Sequence, residues 1–273
     1  MILLLPLLTL AQSLTADEIM TRVAENQERA QAARTKYVYD MNVFVRLKRA
    51  NGKLAREESR DYVVAPTKQG AQRKLLKVEG KILDGKNETT YTESGYRKKD
   101  LDIDGDLTDS FARDIMWNKS ELGPMVDWFP LTSKENSKYS FRLAGEEKYR
   151  DYNAYKINFI EHDEGDECWR GEALIEKNEL QPVVVTAEWA CKIPTAVKIM
   201  LGTNVEHIGA KITYERFDKD VWFPVNCGGE LKLRVLFLYA RTIAFSAKNA
   251  GFRKADVQSS VTFEADSTTQ AVP

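Results

Sequence analysis

The sequence predicts an α+β fold, mostly antiparallel β, built on one large sheet with a single apolar face. From Tyr37 to Leu47, apolar or aromatic residues fall at alternate positions (Tyr37, Tyr39, Met41, Val43, Val45 and Leu47), with Asp40, Asn42, Arg46 and Lys48 among the residues between. A period of two over this length marks a strand with one dry side and one wet side. The rhythm returns at Tyr139-Phe141-Leu143, Tyr155-Ile157-Phe159, Val183-Val185-Ala187-Trp189 and Leu231-Leu233-Val235-Phe237-Tyr239. Helical spacing occurs near the start of the chain and again between Leu107 and Leu131, so helices are few.

Taken in order, the apolar run Met1 to Ala11 is too short to span a bilayer and has the character of a secretory signal core. Cleavage after it sets the mature start near Gln12 and sends the protein to the periplasm; the alternative is a buried N-terminal strand. No later stretch is apolar and long enough to cross a membrane, so the mature protein is expected to be soluble. Residues 12–266 are expected to form one domain and 267–273 a flexible polar tail.

Thr15-Ala16-Asp17-Glu18 is a capping box and opens a helix that carries Ile19, Met20, Val23, Ala24, Ala30 and Ala33 on one stripe and ends near Arg34. The first strand then runs to Arg49, where Asn51-Gly52 predicts a type I′ turn. A second strand follows from Lys53 to Val64, and a third from Arg73 to Glu79 after Pro66 and Gly70. Leu107, Phe111, Ile115 and Leu122 predict one or two short helices, ending in Met125 to Leu131. From Tyr139 to about Glu264 the chain reads as a meander, with turns near Arg150-Asp151, 163–166, Lys177-Asn178, 218–220 and Cys227-Gly228-Gly229.

The 273 residues include 40 basic and 41 acidic side chains, a formal net charge of -1. Such a chain has no general field for nucleic acid. Among the motifs, Asp100 to Asp106 matches the first half of a calcium loop, but position twelve is Phe111 instead of the bidentate glutamate, so an acidic turn leading into a helix is preferred. The two histidines, His162 and His207, lack zinc-ligand spacing. No nucleophile elbow or phosphate-cradling glycine loop occurs. No metal, no cofactor and no catalytic residue is assigned, and the chain reads as a non-enzyme.

Three cysteines, Cys168, Cys191 and Cys227, leave at least one without an intramolecular partner. A Cys168–Cys191 bridge would span a hairpin turning near Glu179. If opposed residue numbers sum to 360, however, Trp169 faces Cys191, and a bulge would be needed to bring the sulfurs together.

An exported, helix-first strand meander with a helical insertion resembles the LolA-like superfamily, the periplasmic lipoprotein carriers and outer-membrane lipoprotein-sorting relatives. The resemblance is carried by Tyr139 to Glu147, Ala154-Tyr155-Lys156-Ile157, Gly171-Glu172-Ala173-Leu174-Ile175 and Val221-Trp222-Phe223-Pro224. It implies a curved, incompletely closed half-barrel with helices covering the concave face, sheltering lipid or lipoprotein acyl chains and making transient membrane contact. The cavity lining would then be Tyr37, Tyr39, Met41, Val43, Val45, Phe141, Ile157, Phe159, Val185, Trp189, Val235 and Phe237, with Trp128, Phe129, Ile199 and Met200 as lid residues. The carriers' Arg-Pro strand motif has no counterpart, and Arg46 falls on the polar side of its strand, so it is not given the carriers' cavity-arginine role. The same fold also implies an alternative, a non-catalytic envelope module or stress sensor that binds a protein partner.

Overall fold

The structure, a computed structural model, describes residues 14–67, 70–114, 129–162, 169–189, 204–218, 221–235 and 239–255. Helix α1 (Ala16–Arg34) begins at the anticipated capping box: the Glu18 amide donates to Thr15 Oγ1 at 3.2 Å, and the Thr15 amide donates to Glu18 Oε2 at 2.8 Å. Strands β1 (Tyr37–Arg49), β2 (Leu54–Thr67), β3 (Gly70–Asp84) and β4 (Asn87–Tyr91) follow. Next come α2 (Ile103–Asp114) and the single turn α3 (Ser133–Asn136). The meander consists of β5 (Tyr139–Tyr149), β6 (Tyr152–Glu161), β7 (Trp169–Glu176), β8 (Pro182–Trp189), β9 (Asn204–Asp218), β10 (Val221–Val235) and β11 (Tyr239–Lys254). Among the described residues no helix is long and apolar enough to cross a membrane.

Among the described residues the eleven strands form one antiparallel sheet in the order β4-β3-β2-β1-β11-β10-β9-β8-β7-β6-β5, so β1 pairs with β11 and the outer strands of this order are β4 and β5. The sheet is curled. Tyr152 on β6 and Trp222 on β10 are four strand spacings apart, about 19 Å on a flat sheet, yet their ring centroids lie 5.2 Å apart. An ion pair between Arg150, at the β5–β6 turn, and Glu215 of β9 bridges the same gap.

The buried face is the inner one. It carries Met41, Val43, Val45 and Leu47 of β1, Ile157 and Phe159 of β6, Ala173 and Ile175 of β7, Val183 and Val185 of β8, Ile212 and Tyr214 of β9, and Ile243 and Phe245 of β11. Ile19, Met20 and Val23 of α1 are fully buried in the same cluster, each contributing about 1.5–3 kcal/mol of burial. Helix α2 packs on β1 and β2, with Phe111 6.0 Å from Phe245.

Several expectations are corrected. The β1–β2 turn is not type I′, because Gly52 (φ 78°) is the positive-φ residue there and Asn51 is not. Arg49 and Lys53 close a three-residue loop with Gly52 at its left-handed position, and the Gly52 amide donates to the Arg49 carbonyl. Pro66 does not end β2, which runs on to Thr67 paired with β3 alone, its pairing with β1 having stopped at Val64, as suits a proline at a strand's edge. Strand β4 was not anticipated, and α2 starts at Ile103, inside the acidic run.

Cys227-Gly228-Gly229 is not a turn; β10 runs straight through it. The apolar run from Leu231 to Tyr239 is two strands, with Val235 opposite Tyr239 across a hairpin. In the β7–β8 hairpin the opposed numbers sum to 358, so Trp169 faces Trp189, with ring centroids 5.4 Å apart, and does not face Cys191. The residues of the Cys168–Cys191 expectation lie outside the described residues; Cys227 is half-buried on β10.

Candidate functional site

One register row crosses the whole sheet: Phe141, Phe159, Gly171, Ala187, Ala210, Gly229, Phe245, Val45, Glu58, Gly80 and Tyr91. Its three glycines each lie beneath an aromatic ring from the next strand. A Cβ on Gly171 would come within 2.6 Å of the Phe159 ring, one on Gly229 within 2.8 Å of the Phe245 ring, and one on Gly80 would collide with Tyr91. Rings laid over bare backbone keep neighbouring strands packed where the sheet must bend. The small residues at the centre of the row make the inner surface recede by about one side chain.

Two residues further along, a second row is apolar from β1 to β7, although on β2 it continues into Arg56: Leu47, Ile243, Leu231 and Ile208 pair across β1, β11, β10 and β9. Trp189 and Trp169 continue it on β8 and β7. Leu47 and Ile243 are fully buried, whereas Leu231, Ile208 and Trp189 are half-buried. Phe141 of β5, Phe111 and Leu107 of α2 and Leu233 of β10 are also half-buried against the core. The inner face therefore stays apolar where it stops being covered.

The anticipated lining residues divide along this line. Met41, Val43, Val45, Ile157, Phe159 and Val185 are buried together in the main cluster, and Phe141 and Trp189 are half-buried at its margin. Tyr37 is elsewhere, in a second cluster with Val221 and Phe223 at the opposite end of the strands, with its ring edge-on to Phe223 at 5.3 Å. Tyr39 bridges the two clusters, half-buried and tilted on Phe223 and Phe252. Of the lid residues, Phe129 is fully buried in the core. Trp128, Ile199, Met200 and Phe237 lie outside the described residues, as does the side chain of Val235.

The inner face also holds charge that the sequence reading missed. Arg56, Glu58 and Arg60 alternate along β2 in phase with Tyr62 and Val64, and all three are buried. Arg56 donates to Tyr91 Oη at 2.8 Å, to Asp102 Oδ2 at 3.1 Å and to the Tyr96 carbonyl at 2.6 Å. Tyr91 donates in turn to Glu58 Oε2 at 2.6 Å, a bond that crosses β3 because Gly80 has no side chain in the way. Arg60 donates to Glu58 and, at 2.7 Å, to Asp109 of α2. Arg241 of β11 grips Asp104 with two bonds, at 2.7 and 2.9 Å.

The acidic run therefore serves arginines and the helix start. Asp102 caps the Gly105 amide, and Asp106 pairs with Arg97. Among the described residues no group of three side chains could hold a metal ion. The network shifts its members' titration. Burial lowers the Arg60 pKa, but its bonds to Asp109 and Glu58 outweigh this and raise it overall; burial and then Glu58 raise that of Tyr91. The outer face, by contrast, is wet. Arg46 pairs with Glu57 at 3.0 Å, and a groove of about 490 Å³ over β7 to β10 is rimmed by Arg170, Glu172, Glu188, Lys211 and Glu230.

No family model and no curated protein sequence matches the chain. Among solved structures it is similar to a LolA superfamily protein from Nitrosomonas europaea, at 10% identity over 90% of this chain and 96% of that one, with a TM-score of 0.33. It is also similar to an outer membrane lipoprotein-sorting protein domain from Vibrio parahaemolyticus, at 10% identity over 88% and 95% of the two chains, with a TM-score of 0.36. A third likeness is to the MucA/MucB complex of Pseudomonas aeruginosa, at 10% identity over 88% and 99% of the two chains, with a TM-score of 0.23.

Proposed function

We propose that this chain is a non-enzymatic periplasmic protein that shelters lipid or lipoprotein acyl chains against the inner face of its curled sheet, with α1 and α2 covering the concave side. The observation that carries the reading is the second register row, which remains apolar from Leu47 to Trp169 while its middle, Leu231, Ile208 and Trp189, is left half-exposed. Each methylene moved from water against such a surface contributes ~0.8 kcal/mol, and a long chain about 10 kcal/mol before ordering costs. Met41, Val43, Val45, Ile157, Phe159 and Val185 form the packed wall behind the row, so an entering chain displaces helix side chains from the sheet. Transient contact with a membrane would deliver or remove the cargo.

The test is uptake of a fluorescent fatty acyl probe by the full chain, together with mass spectrometry of lipids that co-purify. Ile208→Asp and Leu231→Asp are expected to abolish uptake while the protein melts near the native temperature, whereas Val43→Asp unfolds it, because Val43 is 2% exposed within the core. Native uptake by both row variants would refute the reading. A second reading, a module that binds an envelope protein, is favoured by β5, an eleven-residue edge strand whose residues from Arg142 to Lys148 are mostly exposed. It requires capture of a protein partner that Phe141→Asp does not disturb and backbone-blocking changes in β5 do.

A further inference from the structure

The C-terminal turn of α1 places a cation inside the molecule without a counter-ion among the described residues. Arg34 is 8% exposed, its Nε donates to the Trp222 carbonyl at 2.6 Å, and its Nη2 donates to Gln27 Oε1 at 2.9 Å. Both acceptors are neutral, and Gln27 is itself tied to Gln181. The remaining arm, Nη1, is buried and has no acceptor among the described residues. The Tyr214 hydroxyl, on a fully buried side chain of β9, likewise has no partner among the described residues, and the Arg34 guanidinium lies 6.0 Å from the Tyr214 ring centre. Tyr214 faces Pro224 in the register, and Pro224 accepts from Asn249, whose own Oδ1 is a third buried atom without a partner.

Buried polar groups without partners are rare, and a lone buried charge costs several kcal/mol. Burial lowers the Arg34 pKa to about 10, so the group is still charged at neutral pH. A single positive charge and two free donors match one negative charge spread over two oxygens.

We propose that Arg34 Nη1 and the Tyr214 hydroxyl receive the carboxylate of an acyl ligand, which makes the cargo a free fatty acid or a similar anionic amphiphile. This rests on the acyl-chain reading above and specifies its head group. The dimensions fit: Ile208, at the half-exposed row, and Tyr214 are six residues apart on β9, about 20 Å, about the reach of an extended long-chain acid. The head then sits beneath α1 and the tail ends at the apolar margin.

The experiment compares palmitate, methyl palmitate and acetate on the full chain by calorimetric titration and melting. Palmitate is expected to bind at least tenfold more tightly than its ester, and acetate not to bind measurably. Tyr214→Phe, which removes only an unpartnered hydroxyl, should narrow the acid-to-ester ratio several-fold. Arg34→Met should bring it to about one with an unchanged or higher melting temperature, as expected when an uncompensated buried charge is removed. If Arg34→Met fails to fold, the Tyr214→Phe ratio decides. Equal binding of acid and ester by the native protein, or a ratio that survives both substitutions, would overturn the carboxylate site while leaving the acyl-chain reading intact. Binding of neither long-chain ligand would overturn both. Stabilisation by acetate without palmitate binding would identify a small-anion site and overturn the lipid assignment.

Discussion

Gly80 is the residue on which the interior polar network turns, because a side chain there would stand between Tyr91 and Glu58. Gly80→Ala is expected to cost more than about 2 kcal/mol, read as a lower denaturation midpoint with an altered near-ultraviolet tyrosine signal. Glu58→Gln would leave Arg56 and Arg60 short of charge in a site that is 1% exposed, with an expected loss of ~3–5 kcal/mol. Alkaline pH supplies a further check. Burial raises the pKa of Tyr91, Tyr214 and Tyr239 above the ordinary value of 10.0. The unfolded chain then releases its phenolic protons first, so stability is level below about 10 and declines above it; melting curves with phenolate absorbance should show this decline, and Tyr91→Phe should lessen it. Arg56, Glu58 and Arg60 continue the even-numbered phase of Tyr62 and Val64, so their inward orientation was legible in the sequence. It was missed because charge was read as a mark of the wet face.

At the scale of elements, the capping box of α1 and the strands with clean alternation were readable because both signals are local. The box also has a pH signature. Hydrogen bonds from the Thr15 amide and hydroxyl lower the Glu18 pKa from 4.5, so its support is full above that value and is lost as pH falls through the lower folded value. Helix content by circular dichroism should therefore fall in acid before the sheet signal does, and Glu18→Gln should remove that step. The misread elements share a cause. Alternation continues from Leu231 through Tyr239 because opposed residues across a hairpin lie on one face, so the rhythm does not register the reversal. Gly228-Gly229 looked like a turn because glycine was taken as a hinge, whereas here the Phe245 ring lies over Gly229 and Ser246 closes on Gly228. Helix α2 was legible only as a short helix; its attachment through Asp102, Asp104 and Asp109 to Arg56, Arg241 and Arg60 depends on strands distant in sequence.

At the scale of the whole molecule, curl and strand order are set by contacts that no window of sequence contains. Tyr152 meeting Trp222 is one; β1 meeting β11 is another. The candidate site inherits this: Leu231 and Ile208 could be placed on strands, but their partial exposure depends on how far the sheet wraps. The sheet edge at β5 carries its own protection. On β5 the register shifts between Leu143 and Gly145, and Glu146, Glu147 and Lys148 follow, features that discourage pairing with the like-charged β5 of a second copy while leaving the edge open to a complementary strand. Replacing Glu146 and Glu147 together by valine is expected to produce dimers and larger species by light scattering at concentrations where the native chain is monodisperse.

Because the opening strand finds one of its two neighbours only in the closing one, manufacture of this protein has an awkward timetable. While a ribosome or translocon pays the chain out from its beginning, the flank of β1 that belongs to Tyr239–Lys254 waits bare for nearly the entire length of the polypeptide. A nascent chain halted before Tyr239 should therefore be sticky and protease-sensitive, and the intact one should depend on a holding chaperone until its last strand is delivered.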